Sequence, residues 1–287
     1  MKKFQPVIKW TGSKRSQAFE IIKYFPKNID TYYEPFCGGC SVLRALLSSN
    51  IKVRQYVCSD INQDLINLWN EIKENPDEVS QHYNYLWKEL NKDSNIDRKR
   101  SFFESVRERL NREHNPLDFL FIMRTTTNGM PRYNSKGEFN NSFHLTRNGI
   151  VPESLDSVIK EWSFYLNRFD VRFICQNYEN IKPSENDFIY CDPPYANTNA
   201  IYFGGINIEK FFEWLSNLSC GYAFSFDGKV KNIDMTYDVP KKLYSQHIYL
   251  KSGIGRIFRK IKDNVFESLY IKNYRNVEDS NNLDELF

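Results

Sequence analysis

The 287-residue chain is 41% hydrophobic and 16% aromatic, enough to bury a sizeable core and to exclude a disordered protein. Its formal net charge of +3 excludes a histone-like polycation and leaves any electrostatic work to local clusters. No apolar run approaches the roughly 18 residues of a membrane span, and no apolar stretch follows Lys2 and Lys3. The expectation is a cytoplasmic protein with reduced thiols, which makes no use of a membrane.

Val7 to Trp10 reads as a short extended piece, followed by Thr11-Gly12-Ser13-Lys14 and a helix from Arg15 to Tyr24 stopped by Pro26. Tyr32 to Phe36 reads as a strand, Cys37-Gly38-Gly39-Cys40 as a tight turn, and Ser41 as the cap of a helix from Val42 to Ser48. A second strand, Val53 to Ser59, ends at Asp60, and a helix runs from Asn62 to Lys73. This alternation predicts a parallel α/β sheet.

The rhythm then changes. Tyr83-Leu86-Trp87-Leu90 and Phe102-Phe103-Val106-Leu110 are apolar stripes at helical spacing. Arg124 to Arg147 is polar and loop-like, with a turn at Asn134-Ser135-Lys136-Gly137. Strands resume at Val171–Cys175, Phe188–Cys191, Tyr222–Phe226, Leu243–Leu250 and Phe266–Lys272. The expected architecture is a Rossmann-like sheet, mostly parallel with an antiparallel C-terminal strand, interrupted by a mainly helical insertion. The expected domains are a discontinuous catalytic unit of residues 1–73 and 164–275, an inserted unit of 74–163 and a flexible tail of 276–287.

Asp192-Pro193-Pro194-Tyr195 follows the apolar run Phe188 to Cys191. An acid, two prolines and an aromatic at the carboxyl end of a buried strand suit a planar heterocycle bearing an exocyclic amine. The carboxylate accepts one N–H. The prolines stiffen the turn and leave backbone carbonyls as acceptors, and the tyrosine ring offers a stacking face. The same residues also make an ordinary surface turn or a ligand for a WW-type domain. Gly38 and Gly39, between a strand and a helix, allow a ligand to approach the backbone. They form neither a dinucleotide-binding fingerprint nor a Walker sequence. Asp60, at the end of the next strand, suits the two hydroxyls of a ribose, or caps the following helix. Cys37 and Cys40 have the spacing of a zinc or redox pair, but no second ligand pair exists in the sequence, so no metal is expected. Lys229, Lys231, Lys241 and Lys242 precede a denser group of Lys251, Arg256, Arg259, Lys260 and Lys262, which is either a solvated face or a phosphate-contacting one.

Trp10-Thr11-Gly12-Ser13-Lys14, Glu34-Pro35-Phe36-Cys37-Gly38-Gly39, Asp60-Ile61-Asn62, Asn128-Gly129-Met130-Pro131-Arg132-Tyr133-Asn134, Gly137-Glu138-Phe139-Asn140 and Asp192-Pro193-Pro194-Tyr195 occur in this order. The set resembles the ordered motifs of Dam-type DNA adenine methyltransferases of the α group, over nearly the whole chain. The resemblance implies S-adenosylmethionine as cofactor. Lys14 and the backbone near Trp10 would hold its methionine end, Phe36, Gly38 and Gly39 would line it, and Asp60 would bind its ribose. Tyr178 would lie near its adenine, and Asp192 would border the pocket.

The resemblance also implies that Asp192, Pro193, Pro194 and Tyr195 act on the N6 amine of an adenine flipped out of duplex DNA. Arg124, Asn128, Arg132, Tyr133, Asn134, Lys136 and Arg147 would contact the DNA, as a monomer or a weak dimer. Thr127, Ser142 and Thr146 depart from relatives that modify GATC, so that site is not implied. Phe36-Cys37-Gly38-Gly39-Cys40 departs from the usual glycine spacing. Cytosine-N4 or RNA adenine methylation, and a catalytically silent DNA-binding relative, are the alternatives.

Overall fold

The computed structural model describes residues 5–194, 206–230, 233–252 and 265–273. Tyr195, Lys231, Arg256, Arg259, Lys260, Lys262 and the tail from 276 lie outside the described residues.

In chain order the main elements begin with α1 (Ala18–Ile21), β1 (Asn28–Pro35), α2 (Ser41–Leu47), β2 (Lys52–Asp60) and α3 (Gln63–Glu74). Four further helices follow before the next strand: α4 (Pro76–Asn91), α5 (Ile96–Glu113), α6 (Pro116–Thr125) and α7 (Pro152–Arg168). The chain then continues through β3 (Arg172–Cys175), β4 (Phe188–Cys191), α8 (Ile208–Ser216), β5 (Gly221–Val230), β6 (Ile233–Asp234), β7 (Gln246–Lys251) and β8 (Val265–Lys272).

The strands form one sheet in the order β3-β2-β1-β4-β5-β8-β7, with β6 paired to β5. β1 to β5 run parallel, and β8 is antiparallel to both β5 and β7. The order reverses between β1 and β4, which are neighbours with Tyr32 opposite Phe188. A crevice opens above the carboxyl ends of two strands at such a reversal, the usual ligand site of open α/β sheets.

Strand alternation divides the core. Phe188 and Tyr190 of β4 pack with Tyr32, Leu43 and Trp69 on one face, while Ile189 and Cys191 pack with Phe211, Tyr222 and Phe224 on the other. Helices α4 to α7 lie between β2 and β3 in sequence and share the first of these clusters through Tyr83, Phe103, Phe121 and Trp162. Asp118, fully buried on α6, accepts two bonds from Arg109 at 2.6 Å each and faces His82 at 2.8 Å, tying α4, α5 and α6 together. α7 spans residue 163 and packs on α3 as well as α4.

Four local expectations change. The strand expected from Leu243 starts at Gln246, because Lys241–Leu243 close a 3-10 turn that buries Leu243. Val7 and Ile8 are buried core residues with no strand pairing, in a bend just before the cavity-lining segment that starts at Trp10. The first helix is only Ala18–Ile21 plus one 3-10 turn through Tyr24, since residues before it wrap the crevice and Gln17 offers no side-chain cap. Ser41 opens α2 rather than capping it: Cys40 holds the cap position at φ 51°, and the Ser41 hydroxyl bonds Ser13 at 2.8 Å. Among the described residues, no helix is long and apolar enough to cross a membrane.

Candidate active site

A cavity of about 460 Å³ occupies the crevice above β1 and β4. That volume suits a nucleoside-sized ligand. Its walls come from the loop before α1, the β1–α2 turn, the end of β2, the loop after α6, the segment after β3 and the end of β4.

Gly38 forms the tightest part of the β1–α2 turn. Its φ is +45°, its N–H donates to Asp60 Oδ2 at 3.3 Å, and its carbonyl accepts from Trp69 Nε1 at 2.9 Å. A Cβ there would lie 2.6 Å from Trp10 Nε1, so glycine is required by both backbone and space. Trp10 and Gly39 continue this wall, and Phe36, at φ 60°, places its ring 5.3 Å from that of Tyr178. Asp60 accepts Asn62 N–H at 3.0 Å as well as the Gly38 bond. Burial pushes its carboxyl up to about 6, against the pull of these bonds. The following helix is capped not by Asp60 but by Asn62, whose side chain accepts Leu65 N–H at 3.0 Å. Asp60 is thereby left on the cavity wall.

The residues present fit a nucleoside. A carboxylate at the end of β2 faces the cavity, two aromatic rings flank it, and the glycine turn leaves room where a Cβ would intrude.

Asp192, Pro193 and Pro194 also line the cavity, and Tyr195 lies outside the described residues. Lys14 is 3% exposed, and its ammonium lies 2.8 Å from Asp192 Oδ1 and 3.1 Å from Glu267 Oε2. It also donates to the Gly12 carbonyl at 3.3 Å. Burial disfavours this charge, but Asp192 and Glu267 outweigh burial and hold the ammonium above the usual lysine range. Lys14 lines the cavity, and its ammonium lies between the carboxylates of Asp192 and Glu267. Glu267, missed from sequence, is fixed in turn by Ser252 Oγ at 3.0 Å. It reaches the site only because β8 runs back beside β5, which no local pattern signals.

Glu34, at the end of β1, also faces the cavity and accepts Tyr32 Oη–H at 2.7 Å. Burial pushes it up to about 8, so it is mainly neutral at pH 7 and adds little charge beside Asp192. Cys37 and Cys40 line the cavity too, with burial pushing Cys37 up to about 12 and Cys40 well above the normal thiol value. Cys191 is buried and likewise raised, so these thiols are poor nucleophiles. Among the described residues, no cluster of three or more His, Cys, Asp or Glu is arranged to hold a metal ion.

The predicted DNA-contacting residues divide. Asn128, Arg132 and Lys136 are exposed on the loop after α6, and Arg147 is half-buried at its far end. Asn134 serves its own turn: Oδ1 accepts from Lys136 and Glu138 N–H, and Nδ2 donates to Glu138 at 2.8 Å. Two corrections follow. Arg124 is 5% exposed, bonds the Pro6 carbonyl, and is pulled down to about 10 by burial; it cannot reach a base edge. Tyr133 lines the cavity, and its hydroxyl accepts Asn62 Nδ2–H at 2.7 Å, so it faces inward rather than toward DNA.

Residues 10–277 match the family model described as D12 class N6 adenine-specific DNA methyltransferase. The chain belongs to this family. It transfers a methyl group to the N6 amine of adenine in DNA, and the family implies a methyl donor of the S-adenosylmethionine kind. This methyltransferase is 29% identical to the type II methyltransferase M.MjaIII of Methanocaldococcus jannaschii, over 94% of this chain and 99% of that protein. It is 32% identical to a DNA adenine methylase of Serratia marcescens, over 70% of each chain. Its identity to a DNA adenine methylase of Escherichia coli K12 is 31%, over 70% of this chain and 68% of that one. Among solved structures, an rRNA methyltransferase of Streptomyces viridochromogenes aligns with a TM-score of 0.37 at 12% identity, over 94% of this methyltransferase and 85% of that chain.

Proposed function

We propose that this cavity binds S-adenosylmethionine and that Asp192 and the Pro193 carbonyl grip the amine of an adenine everted from duplex DNA. The observation that carries the reading is the shared cavity: Asp60 and the glycine turn stand on one wall and Asp192-Pro193-Pro194 on another. When bound, S-adenosylmethionine supplies an electrophilic methyl group on a sulfonium.

In this reading Asp60 accepts the ribose hydroxyls, Gly38 and Gly39 admit the ligand to the backbone, and Trp10, Phe36 and Tyr178 provide its aromatic walls. The backbone of residues 10–13 faces the amino-acid end. The adenine amine is a poor nucleophile because its lone pair is delocalised into the ring. Asp192 and the Pro193 carbonyl accept hydrogen bonds from its two N–H groups, drawing the nitrogen toward tetrahedral geometry and exposing the lone pair, and the methylated amine then releases one proton. Lys14 and Glu267 hold the Asp192 carboxylate in place, so its catalytic power is positioning and polarisation. The raised thiols of Cys37, Cys40 and Cys191 agree with direct transfer to an amine, without a covalent enzyme intermediate.

Eversion of the base costs a few kcal/mol, and stacking on Tyr195 is the proposed offset, worth about 1–3 kcal/mol. The proposed target-recognition unit is the insertion of residues 74–163, though its last helix, α7, runs on to Arg168, and residues 1–73 with 164–275 are the proposed catalytic unit. Arg132 and Asn128 are its proposed base readers, and Lys136 and Arg147 its phosphate contacts. Arg132→Ala is expected to relax site discrimination by about 1–3 kcal/mol. Long-read mapping of modified adenines in a methylation-free host checks this, and an unchanged sequence profile removes Arg132 from the reader set.

Asp60 gives the reading a pH signature. Its folded value of about 6 lies above the ordinary 3.8, so the ionised carboxylate costs stability above about pH 6. That cost is relieved as the pH falls through 6 toward 3.8, so acidification does not unfold the free protein through this group. Donor binding has the opposite trend, because a protonated Asp60 loses acceptor strength. Calorimetry with S-adenosylhomocysteine is expected to show affinity falling below about pH 6, by up to about tenfold per pH unit. Asp60→Asn is expected to bind weakly with this pH dependence removed. A wild-type affinity that is flat from pH 5 to 8 removes Asp60 from the binding set.

A further inference from the structure

The loop proposed to read DNA is built into the wall of the proposed donor cavity. Three contacts join them. Thr11 Oγ1 donates to the Gly129 carbonyl at 3.3 Å. Gly129, at φ +63°, packs so closely that a Cβ would lie 2.5 Å from Lys9 Cβ. Tyr133 Oη accepts Asn62 Nδ2–H at 2.7 Å.

The third contact leads directly to the ribose-binding candidate. Asn62 is 7% exposed, and its own N–H donates to Asp60 Oδ1 at 3.0 Å. Its side-chain oxygen caps α3, so Asn62 cannot swing away without opening that helix. Pro131 and Tyr133 both line the cavity, while Arg132 between them is exposed on the loop. Arg132 is further fixed by backbone bonds, its N–H to Met130 O at 3.0 Å and its carbonyl accepting from Asn140 at 2.9 Å. An occupant of the cavity therefore touches the two neighbours of the candidate base reader.

We infer that Tyr133 is a positioning residue that couples donor occupancy to DNA recognition through the chain Arg132–Tyr133–Asn62–Asp60. The inference rests on the reading of the cavity as the donor site. A ligand against Asp60, Pro131 and Tyr133 holds the loop in one geometry, and Arg132 then meets the DNA already positioned. By thermodynamic reciprocity, DNA bound to the loop tightens the donor by the same factor. A network of direct hydrogen bonds and packing is the physical connection such coupling needs.

The test uses the full-length protein, S-adenosylhomocysteine and a duplex carrying the methylation site mapped in the methylation-free host. The DNA dissociation constant is measured with and without saturating S-adenosylhomocysteine, for the wild type and for Tyr133→Phe, which keeps the ring and removes only the hydroxyl. The wild type is expected to bind DNA at least about fivefold more tightly with the ligand present. Tyr133→Phe is expected to bring that ratio close to 1 while its DNA affinity without ligand stays within about twofold of wild type, an outcome that general destabilisation does not produce. A wild-type ratio of 1, or an unchanged ratio in Tyr133→Phe, overturns the coupling. Calorimetry separates this from failure of the underlying reading: no binding of S-adenosylhomocysteine to the wild type overturns the donor site itself.

Discussion

Asp192→Asn is expected to lower the rate of methyl transfer by about 10²–10³-fold while DNA and donor affinities stay within a few fold of wild type. The substitution keeps the shape of the side chain and removes its charge. Lys14 retains Glu267 at 3.1 Å, so the buried ammonium is not abandoned and the turn is not undermined. The loss therefore falls on polarisation of the amine, a contact that strengthens only as the reaction proceeds, and so on kcat rather than KM. Asp192→Ala is expected to be at least as severe. Single-turnover assays with a labelled methyl donor measure both. Turnover retained above a few per cent in either variant contradicts the assignment of Asp192. Glu267→Gln removes one of the two carboxylates beside Lys14 and is expected to slow transfer less than Asp192→Asn.

Gly38→Ala carries the second large effect, on donor binding. The new Cβ would sit 2.6 Å from Trp10 Nε1 and 2.8 Å from Trp10 Cδ1, at a φ of +45°. The backbone penalty alone is about 1–2 kcal/mol. Trp10 is a wall of the cavity and Asp60 bonds the Gly38 N–H, so relief of the clash moves one or both. The affinity for S-adenosylhomocysteine is expected to fall at least about tenfold, equivalent to about 1.4 kcal/mol. Gly39→Ala is the internal comparison. Its Cβ would meet Trp10 Cβ at 3.3 Å, a contact that a small shift absorbs, so its effect is expected to be clearly milder. Calorimetry with thermal melts on both variants measures the difference. Equal affinities for Gly38→Ala and the wild type contradict the role of this turn.

Much of the fold was legible because its signals are local. Phe188–Cys191 is a strand at the predicted bounds, since four apolar residues stopped by Asp-Pro-Pro leave little alternative. The turn at Asn134–Gly137 forms as read, with Gly137 at φ 79° and its N–H bonded to the Asn134 carbonyl at 3.0 Å. The glycine turn, Asp60 and Asp192 lie together because each ends or follows a strand, and parallel strands bring their carboxyl ends to one edge.

What was not legible is non-local. Arg124 has the chemistry of a base reader, but α6 buries it in a nearly all-apolar helix, and only its run of Phe119, Leu120, Phe121, Ile122 and Met123 could have warned of that. The inward face of Tyr133 depends on Asn62, far away in sequence. Glu267 belongs to the site only through the return of β8, and Lys14 has its partners only because that strand and the end of β4 converge on it. Composition fixes none of these pairings; tertiary packing does.

A structure of the ternary complex with duplex DNA and sinefungin, an analogue of the donor, tests the central claim most directly. The predicted result is an everted adenine whose N6 lies within hydrogen-bond distance of Asp192 and the Pro193 carbonyl, with the analogue's ribose on Asp60. An adenine left stacked in the duplex, or an analogue bound away from the Gly38 turn, contradicts it.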